Sequence, residues 1–158
     1  MKRILISTMV ICLAFGGLLE RFAEAGTSCH LINAKGVGKD LGVSADPDGT
    51  LHILTSATVI GGGLLHGMVT GSLTLPPPAG PVAQFTEIVT FTTQHGTLTV
   101  NLTGWVDFAS SHFHASGPVT GGTGKLAGAT GTLSLSGDDA AGTFTEDING
   151  AVCVNLAP

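Results

Sequence analysis

Beyond residue 25 this chain has no arginine, and it has no tyrosine anywhere. Three lysines (Lys35, Lys39 and Lys125) face nine carboxylates there, giving a formal charge of −6 with histidines neutral. A surface of that sign lacks the basic footprint that phosphate backbones and anionic headgroups require, so nucleic acid and charged lipid are excluded as partners. No helical periodicity is visible in the same region. No long apolar run follows the first one, so after removal of a leader nothing is expected to span a membrane.

Cysteine is scarce too, with Cys12, Cys29 and Cys153 its only occurrences. Cys12 falls in an opening that reads as a secretory signal: Met1-Lys2-Arg3, the apolar stretch Ile4–Leu19, then Ala23-Glu24-Ala25 before Gly26. Cleavage after Ala25 is the expectation, with a secreted or periplasmic destination. Val10 and Ile11 are a poor match to the small residues that a lipid-attachment signal wants. Residues 26–158 then form a single domain of 133 residues, enough for one core. In an oxidising compartment Cys29 and Cys153 are expected to pair, which requires Cα atoms within about 7 Å and so sets the first strand beside the last. Two unpaired buried thiols are the alternative, and metal binding by cysteines this far apart has no supporting spacing.

What the chain does have is alternation and glycine. The stretch Gly117–Gly137, GPVTGGTGKLAGATGTLSLSG, is too glycine-dense for a helix and reads as a specified turn between two strands, with Leu133 and Leu135 on one face of the second. GGTGK is not a phosphate loop, because Leu126 follows Lys125 where a hydroxyl should hold magnesium and a strand, not a helix, comes next. Other strands are expected over Ser28–Val37, Leu51–Ile60, Leu64–Leu75, Phe85–Thr92, Thr97–Gly104, Trp105–Val119 with a bulge near Ser110-Ser111, Gly131–Gly137, and Thr143–Val154. Loops are expected over Asp40–Thr50 and Asp138–Gly142, and Pro76–Pro81 must lie outside the sheet as a crossing or lid. Asp46-Pro47-Asp48-Gly49 has the look of a calcium loop but lacks the downstream bidentate Glu.

Eight strands, short turns and a staple joining the ends favour a closed eight-stranded antiparallel barrel, a meander without exposed edges; a two-sheet β-sandwich is the alternative. The string GGTGKLAGATG (Gly121–Gly131) also resembles the GGTGK-Φ-x-x-A-x-G turn that dirigent proteins carry after their sixth strand, and through them the allene oxide cyclase barrel-like group. That resemblance implies an eight-stranded antiparallel barrel, frequent assembly as a homo-trimer, and, in the cyclases, an interior carboxylate that positions a reactive oxide. Dirigent-like phenoxyl coupling uses a pocket of Asp, Arg and Tyr, two of which residues 26–158 lack.

Glu87 lies in phase with Phe85 and Val89, and Glu146 in phase with Phe144 and Ile148. If they point inward, burial raises their pKa and suits them to acid–base work, so they are the candidate catalytic residues; placed at a rim they would meet water. Phe85, Phe91 and Phe144 are the candidate walls of an interior site for a small apolar ligand. His112 and His114 share one strand face as a would-be metal pair, but no third ligand is visible, so no metal is expected. There is no cofactor motif, no Cys-His dyad and no G-x-S-x-G elbow, which leaves hydrolase chemistry unsupported. Three functions stay open: a small-ligand barrel, an isomerase or cyclase, and a structural envelope protein with a filled core.

Overall fold

The computed structural model describes residues 26–61 and 63–155; the leader expected over Met1–Ala25, Cys12 included, lies outside them. Eight strands run in order: β1 (Ser28–Ala45), β2 (Leu51–Gly61), β3 (Gly67–Leu75), β4 (Val82–Thr93), β5 (Gly96–Asp107), β6 (His112–Gly122), β7 (Thr130–Ala140) and β8 (Thr143–Val154). Each pairs antiparallel with the next, and β8 pairs back onto β1, closing the barrel. Followed round the ladder, the row that leaves β1 at Ser44 returns to it at Asn33, so the strands are steeply tilted. Closure, not a sandwich, is what removes the sheet edges.

The seam is stapled as expected. Cys29 lies directly opposite Cys153 on the β1–β8 ladder, their Cα atoms 3.9 Å apart, and the two sulfurs are bonded.

Several boundaries differ from those read off the sequence, each for a local reason. β1 does not end at Val37: it continues to Ala45 through a bulge at Leu41, and only Asp46–Thr50 turns, with Asp46 and Thr50 closing it by a backbone hydrogen bond. Its alternation is hidden because two inward positions, Gly36 and Gly38, carry no side chain. The sixth strand expected over Trp105–Val119 is two strands. β5 runs through Gly104 to Asp107, and the supposed bulge is a hairpin turn held by Asp107, whose carboxylate accepts from the Ala109 N–H at 2.9 Å and from the Ser110 hydroxyl at 3.0 Å. Leu64 belongs to a short 3₁₀ turn, Gly63–Leu65, before β3 begins at Gly67. β7 extends to Ala140, and the β7–β8 connection shrinks to Ala141-Gly142, both at positive φ (55° and 83°), the backbone of a two-residue type I′ hairpin.

The two ends of the cylinder are unlike. One end carries the Gly63–Leu65 turn and the GGTGK segment, where Gly124 takes φ 59° in a second 3₁₀ turn, Gly124–Leu126. Leu65 and Leu126 are fully buried there and, with Phe91, Leu98, Val59 and Val152, fill the barrel. Lys125 N–H binds the His95 carbonyl at 2.8 Å and Thr123 N–H the Thr97 carbonyl at 2.9 Å, docking the GGTGK turn on the β4–β5 hairpin. The other end is ringed by the turn at Asp46–Thr50, the Pro76–Pro81 crossing, the Phe108–Ser111 turn and Ala141-Gly142. It is not plugged.

Outward faces carry mostly threonine and other polar residues, with exposed apolar side chains at Leu31, Val37, Leu54, Ile60, Met68 and Ile88. Among the described residues no helix is long and apolar enough to cross a membrane.

Candidate functional site

Inside the unplugged end is a cavity of about 140 Å³. Its walls are apolar: Ile53, Ala57, Val69, Leu73, Val89, Leu135 and the rings of Phe85, Phe108, Phe113 and Phe144. Phe113 meets Phe144 edge to face with centroids 6.4 Å apart, a favourable arrangement of ring quadrupoles. The polar groups in the lining are Thr55 and four carboxylates, Asp40, Glu87, Asp139 and Glu146. Among the described residues no lysine or histidine lines it.

Period-two alternation delivers the two glutamates. On β4 the inward positions are Ala83, Phe85, Glu87, Val89 and Phe91; on β8 they are Phe144, Glu146, Ile148, Val152 and Val154. Space for the carboxyls comes from glycines on neighbouring strands. Gly36 stands opposite Glu146 on the β1–β8 ladder, and a Cβ there would collide with the Glu146 carboxyl. Gly71 of β3 does the same for Glu87, whose carboxyl leans across it toward Thr55. Gly38, opposite Phe144, makes room for that ring.

Glu146 is 7% exposed, and its carboxyl receives no hydrogen bond from the described residues. Burial, and secondarily the charge of Glu87, pushes its pKa up to about 7. Glu87 is half-buried and also raised to about 7, again chiefly by burial; the Thr55 hydroxyl, donating at 3.4 Å, pulls it down and Asp40 pushes it up. Nearer the mouth, Asp40 is raised by burial and by the charge of Asp139. No cation among the described residues neutralises them, so the charge of Glu87 bears on Glu146 and that of Asp40 on Glu87.

The sequence candidates therefore part company. Glu87, Glu146, Phe85 and Phe144 meet in one cavity. Phe91 does not join them; it is fully buried toward the plugged end, as part of the core. His112 and His114 lie outside the barrel beside Trp105, and His112 Nδ1 is hydrogen-bonded to Asp138 at 2.9 Å. No group of three or more ligating side chains suited to a metal ion is formed among the described residues. Asp40 and Asp139 carry no signal in the sequence, because both fall in segments rich in Gly and Asp that read as turns. Phe113 shares its parity with Ala115, a signal blurred by the hairpin turn that interrupts the expected Trp105–Val119 strand. Trp105 faces outward opposite His114 and Gln84.

No protein-family model and no curated protein matches the chain.

Proposed function

We propose that this chain is an exported ligand-binding barrel of the allene oxide cyclase barrel-like kind, which takes a small molecule into its unplugged end. The observation that carries the reading is the asymmetry of the cylinder: one end is packed solid, while the other keeps space between aromatic and aliphatic walls around an unpartnered Glu146. A core evolved only for rigidity gains by filling such a space, since each missing contact costs packing energy and an unpaired buried carboxyl costs more. A filled-core envelope protein has no use for it. The volume is close to that of a dry protein cavity of roughly 150 Å³ that admits benzene, so a single ring or a short branched chain fits and a long fatty acid does not. The bonded cysteine pair supports an oxidising destination such as the periplasm or the exterior.

The test is binding of single-ring probes (phenol, benzyl alcohol and benzylamine) followed by amide chemical shifts. Shifts are expected at Val69, Leu73 and Phe113, and Val106→Phe, which fills the cavity, should abolish them. Absence of shifts at the cavity with all three probes would remove the reading.

A second reading, isomerisation or ring closure by proton transfer, is favoured by one observation: Glu87 and Glu146 are both brought to about 7 in the same cavity. At neutral pH such a pair holds about one proton and can give or take it. Product analysis on a small unsaturated epoxide with each Glu→Gln variant decides it; unchanged product ratios in both variants would exclude the carboxyls from the chemistry.

A further inference from the structure

Resting on the ligand-binding reading above, we propose that the occupant of the cavity is a small organic cation: a primary to tertiary ammonium group attached to no more than about one ring's bulk. The cavity's charged lining is of one sign. Asp40 from β1, Glu87 from β4, Asp139 from β7 and Glu146 from β8 face it, while β2, β3, β5 and β6 contribute no titratable side chain. The groups that could neutralise them are elsewhere. Lys35 is on the outer face, paired with Asp147, and Lys39 is exposed on that same face. Lys125 belongs to the GGTGK turn at the plugged end. His52 is hydrogen-bonded to Asp46 and Thr74 on the outer face.

Glu146 is more than nine-tenths buried, and its carboxyl, which opens onto the cavity, has no hydrogen-bond partner among the described residues, so an occupant that completes it is favoured. An ammonium group completes it twice over, by its charge and by its N–H donors. The aromatic rings supply the other half of such a site. Phe85, Phe113 and Phe144 line the same space as Glu87 and Glu146, and the negative face of a phenyl ring attracts a cation most strongly where water is excluded. Apolar walls, ring faces and unpaired carboxylates without a counter-cation are the combination that recognises an alkyl- or arylammonium ion. A carboxylate or phosphate ligand would be repelled, and a neutral molecule could offer a hydrogen bond but no compensating charge.

Only the pocket changes its protonation over the range in which the ligand stays charged, which makes the idea testable. Benzylammonium stays protonated between pH 5 and pH 8, whereas the two glutamates are largely ionised at pH 8 and protonated at pH 5. We would measure dissociation constants for benzylammonium, benzyl alcohol and benzoate by chemical-shift titration at both pH values. Expected at pH 8 is benzylammonium at least tenfold tighter than benzyl alcohol, with benzoate weakest. Its affinity should fall at least tenfold at pH 5, and that of benzyl alcohol should hold. Glu146→Gln, close to isosteric and checked for an unchanged amide spectrum outside the cavity, should cut the preference for the cation at least fivefold; Glu87→Gln is the second arm should the first variant fold poorly. Equal or tighter binding of benzyl alcohol or benzoate overturns the cation assignment while leaving the ligand-binding reading standing. No binding by any of the three overturns both.

Discussion

Gly36 and Glu146 face each other across the β1–β8 ladder, and the carboxyl of one occupies the space a side chain on the other would need. The pair is thus a size-coded contact: a glycine kept so that an acid can fold inward. Gly36→Ala should cost about 1–3 kcal/mol by overpacking, measured by urea unfolding at pH 7. In a Glu146→Ala background the same change should cost under about 1 kcal/mol, because the obstructing carboxyl is gone and the pair is coupled. Additive costs would show that the glycine serves the backbone and not the glutamate.

Burial of Glu146 makes the stability of the barrel depend on pH in a defined direction. Its folded pKa, about 7, lies above its ordinary value of 4.5, so between those values the folded state binds more protons than the unfolded one. Stability from this group is complete below about pH 4.5 and is lost as pH rises through 7. The melting temperature should accordingly fall between pH 5 and pH 8. Glu146→Gln should flatten that slope and stabilise the protein at pH 8 by on the order of 2–3 kcal/mol. A melting temperature that rises with pH over the same interval would contradict the placement of the carboxyl.

Thr55 offers a finer probe, since its hydroxyl is the side-chain donor to Glu87. Removing it in Thr55→Val leaves the ionised form without that hydrogen bond, so the Glu87 pKa should rise above about 7. Carbon-13 titration of the Glu87 carboxyl reads this directly. A downward shift would mean that the hydroxyl serves the protonated acid instead.

Much of this arrangement was legible in the residues, and the parts that were not share a cause. β4 is unmistakable because Phe85, Val89 and Phe91 alternate with threonines, and the same parity places Glu87 inside. β1 is obscured because Gly36 and Gly38 hold inward positions with nothing for a hydrophobic pattern to register, although their emptiness is what admits Glu146 and Phe144. Gly104 looks like the end of a strand for the same reason. It lies mid-strand in β5, where a Cβ would strike the backbone of β6. Parity also says inward without saying how deep: Phe85 and Phe91 share a face, yet one lines the cavity and the other packs the plugged end. Depth depends on the register between strands, which is a property of the closed ladder and not of any one segment. Asp40 and Asp139 escaped because bulges and two-residue hairpins carry strands further into Asp- and Gly-rich sequence than turn chemistry alone suggests.

The β7–β8 hairpin makes that last point measurable. Ala141 sits at φ 55°, in the left-handed region, with Gly142 at 83° after it. A residue with a Cβ pays roughly 1 kcal/mol there, while asparagine tolerates the conformation. Ala141→Asn should therefore stabilise the barrel by about 0.5–1 kcal/mol without altering the cavity, and a destabilised variant would contradict the type I′ turn.

The sulfur bridge presents the opposite problem, because the strands it joins are already paired along the whole seam from Ser28 opposite Val154 to Lys39 opposite Thr143. In the folded barrel the bond adds little to what the ladder holds; its effect falls on the unfolded chain, where it closes a loop spanning 124 residues of sequence separation. The loop-entropy model puts that at roughly 4–5 kcal/mol. Cys29→Ser with Cys153→Ser should lower the unfolding free energy by that order while leaving the amide spectrum of the cavity residues in place, since neither cysteine lines the cavity. Loss of the β1–β8 ladder in the double variant, seen as rapid amide exchange at Ile32 and Ile148, would mean instead that the seam depends on sulfur and that the hydrogen bonds do not close the cylinder alone.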